Sequence, residues 1–121
     1  MLRERLLVLP EKIYQEKLEL LQLMEKQEEQ ELFLKSWEIQ EQNKINNEVD
    51  AEGKLIYSSD VKRKSELDRR KLENENYKKL QQSINKTKIE IEQKKIYIEK
   101  LINEQKNLRA LCILEGDDLI D

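Results

Sequence analysis

The chain has 121 residues, of which 40% are charged, with one Phe, one Trp and a net charge of −3, so it holds one domain at most and has little apolar material for a globular core. It contains no His, one Cys and two Gly. That excludes an internal disulfide, removes the commonest general base and metal ligand, and leaves too little glycine for a phosphate-cradling loop or a nucleophile elbow; neither an enzyme nor a metal or other cofactor is expected.

The opening "MLRERLLVLP" places arginines before a short apolar run, as signal peptides do, but the run is only four residues long and no small-residue cleavage site follows. No segment approaches the ~18 apolar residues of a membrane span. Pro10 fits the first turn of a helix, which predicts a helix over 11–48, with residues 2–8 at most a short separate turn. Along that helix Tyr14, Leu18, Leu21, Leu32 and Ile39 fall within about 40° of one line, interrupted by the polar run "EKQEEQE" at 25–31. Phe33 and Trp37 lie one turn apart and off that line.

Turn-forming residues collect in "NNEVDAEGKLIYSSD", residues 46–60. A turn is therefore expected over 49–59, with Ser58, Ser59 or Asp60 capping the helix that follows. A second helix is predicted over 60–115, ended by Gly116. Within it "IEIEQKKIYI", residues 89–98, mimics a strand. Its alternation changes parity between Ile91 and Ile96, however, and the intervening "QKK" has no turn former. At seven-residue spacing Tyr77, Ile84, Ile91, Ile98, Gln105 and Cys112 form one line and Leu80, Thr87, Lys94, Leu101 and Leu108 another. These are the a and d positions of a heptad repeat, and eight of the eleven are apolar. Cys112 on the a line reads as a small buried thiol, in keeping with a reducing, cytoplasmic setting. Ile89 and Ile96 form a second strip on another side of the same helix.

Charge selects the pairing. Residues 11–48 carry five basic and ten acidic side chains, net −5, whereas 60–112 carry fifteen basic and nine acidic, net +6. Folding back antiparallel brings residue i near residue 109 − i, setting Leu32 by Tyr77, Leu18 by Ile91, Ile13 by Ile96, Trp37 by Leu72 and Leu20 by Ile89. The acidic Glu25, Glu28 and Glu29 then face Lys78, Lys79 and Lys86. Surface pairs of this kind contribute ~0–1 kcal/mol each and choose the partner rather than hold it. The expected fold is all-α: a long antiparallel two-helix coiled-coil hairpin in a single domain, 1–121. A single seam is marginal by itself, so Phe33, Trp37, Leu72, Ile89 and Ile96 are expected to meet in a homodimer, giving a four-helix bundle. The alternative is that Phe33 and Trp37 only widen the hairpin seam.

Two further stretches are candidate sites. "VKRKSELDRRK", 61–71, concentrates Lys62, Arg63, Lys64, Arg69, Arg70 and Lys71 at a helix start, where cations oppose the dipole. That placement suits phosphate contacts, although facing glutamates Glu38, Glu41 and Glu48 would neutralise part of it and the overall charge does not favour a dedicated nucleic-acid binder. The acidic tail 116–121, with Asp117, Asp118, Leu119 and Ile120, is a candidate docking segment for a basic pocket.

"EGKLIYSSDVKRKSELDRR", residues 52–70, resembles the turn of small coiled-coil proteins of unknown function encoded by phages and integrative mobile elements. Gly53, Lys54, Tyr57, Ser58, Lys62 and Arg63 carry the resemblance, and Ser59 departs from the Asn of that pattern. It implies a mobile-element accessory protein and supplies no catalytic residue. The expected function is binding of a protein partner, as an adaptor or inhibitor. The alternatives are a nucleic-acid accessory factor using the basic tip, or a passive oligomerisation scaffold.

Overall fold

The computed structural model describes residues 2–115, and the tail from Gly116 onward, including Asp117, Asp118, Leu119 and Ile120, lies outside the described residues. The chain is an all-α helical hairpin: α1 spans Leu2–Asn47, α2 Asp60–Glu73 and α3 Glu75–Leu114. Residues 26–86 pack as one compact unit, and the remaining described residues as another. Among the described residues no helix is long and apolar enough to cross a membrane.

The heptad of the C-terminal half is the inside of the fold. All eleven residues from Tyr77 to Cys112 on the a and d lines are buried or half-buried, and Ile84, Ile91, Ile98 and Leu101 are the largest buried apolar groups of α3. The antiparallel relation of residue i with 109 − i holds in the terminal unit for Arg5, which grips Glu104 with Nη2 to Oε1 at 2.7 Å and Nε to Oε2 at 3.0 Å. It holds also for Lys12, whose Nζ stands 5.7 Å from the centre of the Tyr97 ring.

Helix α1 departs from expectation in where it starts and which face it buries. It starts at Leu2 and continues through Pro10, although an interior proline lacks an amide donor and typically costs ~3 kcal/mol. Packing offsets that cost. Leu9 is fully buried with Ile13 and Leu101, and Tyr97, Ile102 and Leu108 close around the three. The turn ahead of Pro10 is thus fixed by its neighbours across the seam.

The buried face of α1 is the heptad through Leu9, Ile13, Glu16, Leu20, Leu23, Gln27, Gln30, Leu34, Trp37 and Glu41, all buried or half-buried. Tyr14, Leu18, Leu21, Leu32 and Ile39, expected inside, are exposed. Four polar residues on the true seam hide its periodicity, and two of these find opposite charges there. Glu16 takes Lys94 Nζ at 2.5 Å in one unit, and Glu41 takes Arg70 Nη1 at 3.2 Å in the other. Ile13 consequently sits with Leu101 rather than beside Ile96, which is exposed.

The helix expected over 60–115 is two helices, separated at Asn74. Its backbone is extended there, with ψ 112°. Its N–H still donates to the Arg70 carbonyl at 3.0 Å, and its Oδ1 accepts from the Tyr77 amide at 2.8 Å. Asn74 therefore closes α2 and caps α3 with no intervening loop, a role that suits its short acceptor side chain. Ser59 caps α2, accepting from Lys62 N–H at 3.2 Å. In the connection, Asp50 Oδ1 accepts from the amides of Glu52 and Lys54 at 2.9 and 3.0 Å. Gly53 takes a φ of +81°, a conformation that a side chain at Cβ would strain.

Ile98→Ala should lower stability by about 2–4 kcal/mol, as large-to-small changes in a packed seam do, while Ile96→Ala should change it by less than about 0.5 kcal/mol; equilibrium denaturation of the two variants compares them directly. Gln30 Oε1 is buried without a hydrogen-bond partner. Replacing that acceptor with an apolar side chain, Gln30→Leu, is expected to raise the denaturation midpoint by an amount worth about 1 kcal/mol.

Candidate functional site

The basic stretch of α2 continues the two heptad lines of α3 towards the turn, with Arg63 and Arg70 on the a line and Glu66 on the d line. The charges at these positions make them invisible to a search for apolar spacing. Burial nevertheless marks them as seam: Glu66 is buried, and Arg63 and Arg70 are half-buried. Arg70 reaches three carboxylates, Glu41 at 3.2 Å, Glu48 at 2.8 Å and Glu66 at 2.9 Å, and its guanidinium carbon lies 6.0 Å from the Tyr57 ring centre. Arg69 clasps Glu66 and holds Glu73 at 2.6 Å. Arg63 pairs with Asp60 and donates to the Tyr57 carbonyl at 3.2 Å.

Four of the six cations singled out in this stretch, Arg63, Arg69, Arg70 and Lys71, are thus in ion pairs, Lys71 with Glu38 at 3.3 Å. Lys62 and Lys64 are exposed. The hydrogen bond from Arg69 holds the Glu66 carboxyl down at about 2, against the opposing effect of its burial, and Arg70 assists.

A second feature of the same unit is aromatic. Trp37 stands on the α1 seam and packs on Tyr77, ring centres 4.8 Å apart and tilted by 45°. It was expected beside Leu72, which instead points outward and is exposed. Tyr77 is held from two sides: its hydroxyl donates to Glu38 Oε1 at 3.0 Å, and Lys71 Nζ lies 5.8 Å from its ring centre. Burial, followed by the Glu38 contact, pushes the Tyr77 phenol up to about 12. Beside this pair Phe33 is 70% exposed. Phe33, Trp37, Gln40, Asn76, Tyr77 and Leu80 line an open cavity of about 500 Å³. Trp37 therefore belongs to the seam and Phe33 to the surface, one turn away, so the two do not form a separate outward strip.

In the terminal unit Ile89 and Ile96 are exposed on α3, and Ile96 borders a shallow groove shared with Glu99, Lys100 and Asn103. The larger apolar surface there was missed. Leu7, Val8, Tyr14, Leu18, Leu21 and Met24 of α1 are all exposed. Tyr14, Leu18 and Leu21 carry its signal in the sequence but were expected in the seam, and Leu7 and Val8 fall before the helix expected over 11–48. Among the described residues no group of three or more acidic or cysteine side chains is placed to hold a metal ion.

No family model matches the chain, and no curated protein or solved structure matches it either.

Because the Glu66 carboxyl is depressed in the folded chain, its contribution is complete above the ordinary carboxyl value near 4.5 and is lost as pH falls towards about 2. Thermal unfolding should therefore show a melting temperature that drops across that window. Glu66→Gln should flatten this pH dependence and lower the melting temperature at pH 7 by about 5–10 °C.

Proposed function

We propose that the chain is a non-enzymatic, protein-binding helical hairpin, an adaptor or inhibitor. It seats an apolar side chain of its partner protein in the cavity between Phe33 and the Trp37–Tyr77 pair. The observation that carries this reading is an exposed Phe33 beside two ordered aromatic rings at an open cavity of about 500 Å³. Aromatic side chains dominate binding energy where they are held rigid and can be fully desolvated. Here Glu38 and Lys71 fix Tyr77 before any partner arrives, which removes much of the ordering entropy that binding otherwise costs.

The alternative of phosphate binding at the tip is supported less well. Arg63, Arg69, Arg70 and Lys71 would each have to exchange a carboxylate for a phosphate, which leaves Lys62 and Lys64 as the ready contacts. Origin in a mobile element and a cytoplasmic setting belong to the same proposal; the first rests on the tip residues Gly53, Lys54, Tyr57, Ser58, Lys62 and Arg63, the second on the single buried Cys112.

Affinity capture from the native cell, run with and without nuclease, tests the proposal. A partner retained through nuclease treatment and reduced at least about 10-fold by Phe33→Glu supports it; the substitution is at an exposed position and should leave helicity unchanged. Capture that disappears with nuclease, or with Lys62→Glu and Lys64→Glu together, assigns the chain to nucleic acid instead. No specific capture by the native sequence would make it a passive scaffold.

A further inference from the structure

We infer that the outer face of α1 between Leu7 and Met24 is a self-complementary surface on which a second copy of this chain docks antiparallel about Tyr14. The terminal unit already closes its own core through Leu9, Ile13 and Leu101. It nevertheless leaves Leu7, Val8, Tyr14, Leu18, Leu21 and Met24 36–76% exposed on α1. Leu7, Tyr14 and Leu21 repeat at sevens, and Pro10, Leu18 and Met24 fill in beside them, so the residues form a second coiled-coil line rather than scattered exposed side chains. Over 18 residues it runs for ~27 Å.

The identity of the occupant follows from the charges inside that line, which are Glu11 and Lys17 alone. A symmetric dimer must place the same patch against itself. Turning one copy end for end about Tyr14 brings Leu7 against the partner's Leu21, Pro10 against the partner's Leu18, and Glu11 against the partner's Lys17. Symmetry makes each of these contacts twice. Parallel docking would put Glu11 against its own copy and Lys17 against its own, which is repulsive in both places. Apolar and ionic complementarity therefore select one orientation and one register. Lys17 is exposed, and among the described residues Glu11 accepts from its helix neighbour Gln15, at 2.9 Å.

A single pair of helices crossing over ~five turns buries less than the ~800 Å² per partner of a standard stable interface, so the dimer should be reversible, with a dissociation constant in the micromolar range. The surface is independent of the Phe33 cavity, and the two proposals can fail separately.

Sedimentation equilibrium on the full chain, from about 1 to about 200 µM, is the test. A reversible monomer–dimer equilibrium is expected. Leu21→Glu should raise its dissociation constant more than about 10-fold, whereas Phe33→Glu should leave it unchanged. Glu11→Lys and Lys17→Glu, each alone, should weaken it about 3- to 10-fold, and the two together should restore it to within about 2-fold. That recovery depends only on 11 meeting 17 across the dimer, and because both positions are exposed it does not depend on folding. A chain that stays monomeric at every concentration overturns the inference and leaves the face to a different protein. A double variant without recovery, or a dimer abolished by Phe33→Glu or Ile96→Glu instead, overturns it as well.

Discussion

Lys94 and Arg70 are cations on the helix seam, and the need to pair them determines what else is inside. Lys94 meets Glu16 at 2.5 Å and Glu19 at 2.7 Å, and Arg70 meets Glu41, Glu48 and Glu66. An ion removed from water without a partner costs several kcal/mol. A register or rotation of α1 that buried Tyr14, Leu18 and Leu21 instead would carry Glu16 away from the seam and strand Lys94 there. The apolar gain from that exchange is small, because Leu9, Ile13, Leu20 and Leu23 already supply comparable area on the face that carries Glu16. Polarity within the seam thus selects the face, and the apolar residues stabilise the selection.

The basic stretch at the hairpin tip follows from the same constraint. A run of six cations in ten residues reads as a surface for phosphates, yet Arg63 and Arg70 occupy the line that Ile84, Ile91 and Ile98 occupy further along α3, and Glu66 the line of Leu80 and Leu101. Near the turn ionic pairs gather beside the buried Ile45, with Glu41 supplied by the end of α1, Glu48 by the connection that follows it, and Arg69 anchored by Glu66 and Glu73. Much of the apolar material that α1 does not need for its seam is displaced to its outside. The apolar side chains left exposed therefore include the outward line from Leu7 to Met24 in one unit, and Phe33 beside Trp37 and Tyr77 in the other.

What could be read in the sequence divides along this line. The α3 seam was plain because Ile84, Ile91 and Ile98 repeat at sevens and outweigh Lys94 and Gln105. The antiparallel relation was plain too, since the opposite net charges of the two halves and the central turn leave few other pairings, and Arg5 with Glu104 obeys it. The α1 face was misread because of two lines seven-spaced and partly apolar, the buried one carries Glu16, Gln27, Gln30 and Glu41 while the exposed one carries Tyr14, Leu18 and Leu21. Hydrophobic spacing ranks such lines in the wrong order whenever polar residues are paired across the seam. Pro10 was read as a start because its local effect is to break a helix; the packing of Leu9 that overrides it is long-range. Asn74 gave no warning, because a single extended residue whose own N–H, carbonyl and Oδ1 are each hydrogen-bonded disturbs neither the charge pattern nor the heptad phase.

The most direct test of the seam assignment is a set of nuclear Overhauser contacts from the Leu101 methyl groups in the isotopically labelled chain. Contacts to Leu9 and Ile13, with none to Tyr14 or Leu18, are the result this account predicts. Contacts from Leu101 to Tyr14 or Leu18, or to no residue of α1, would contradict it.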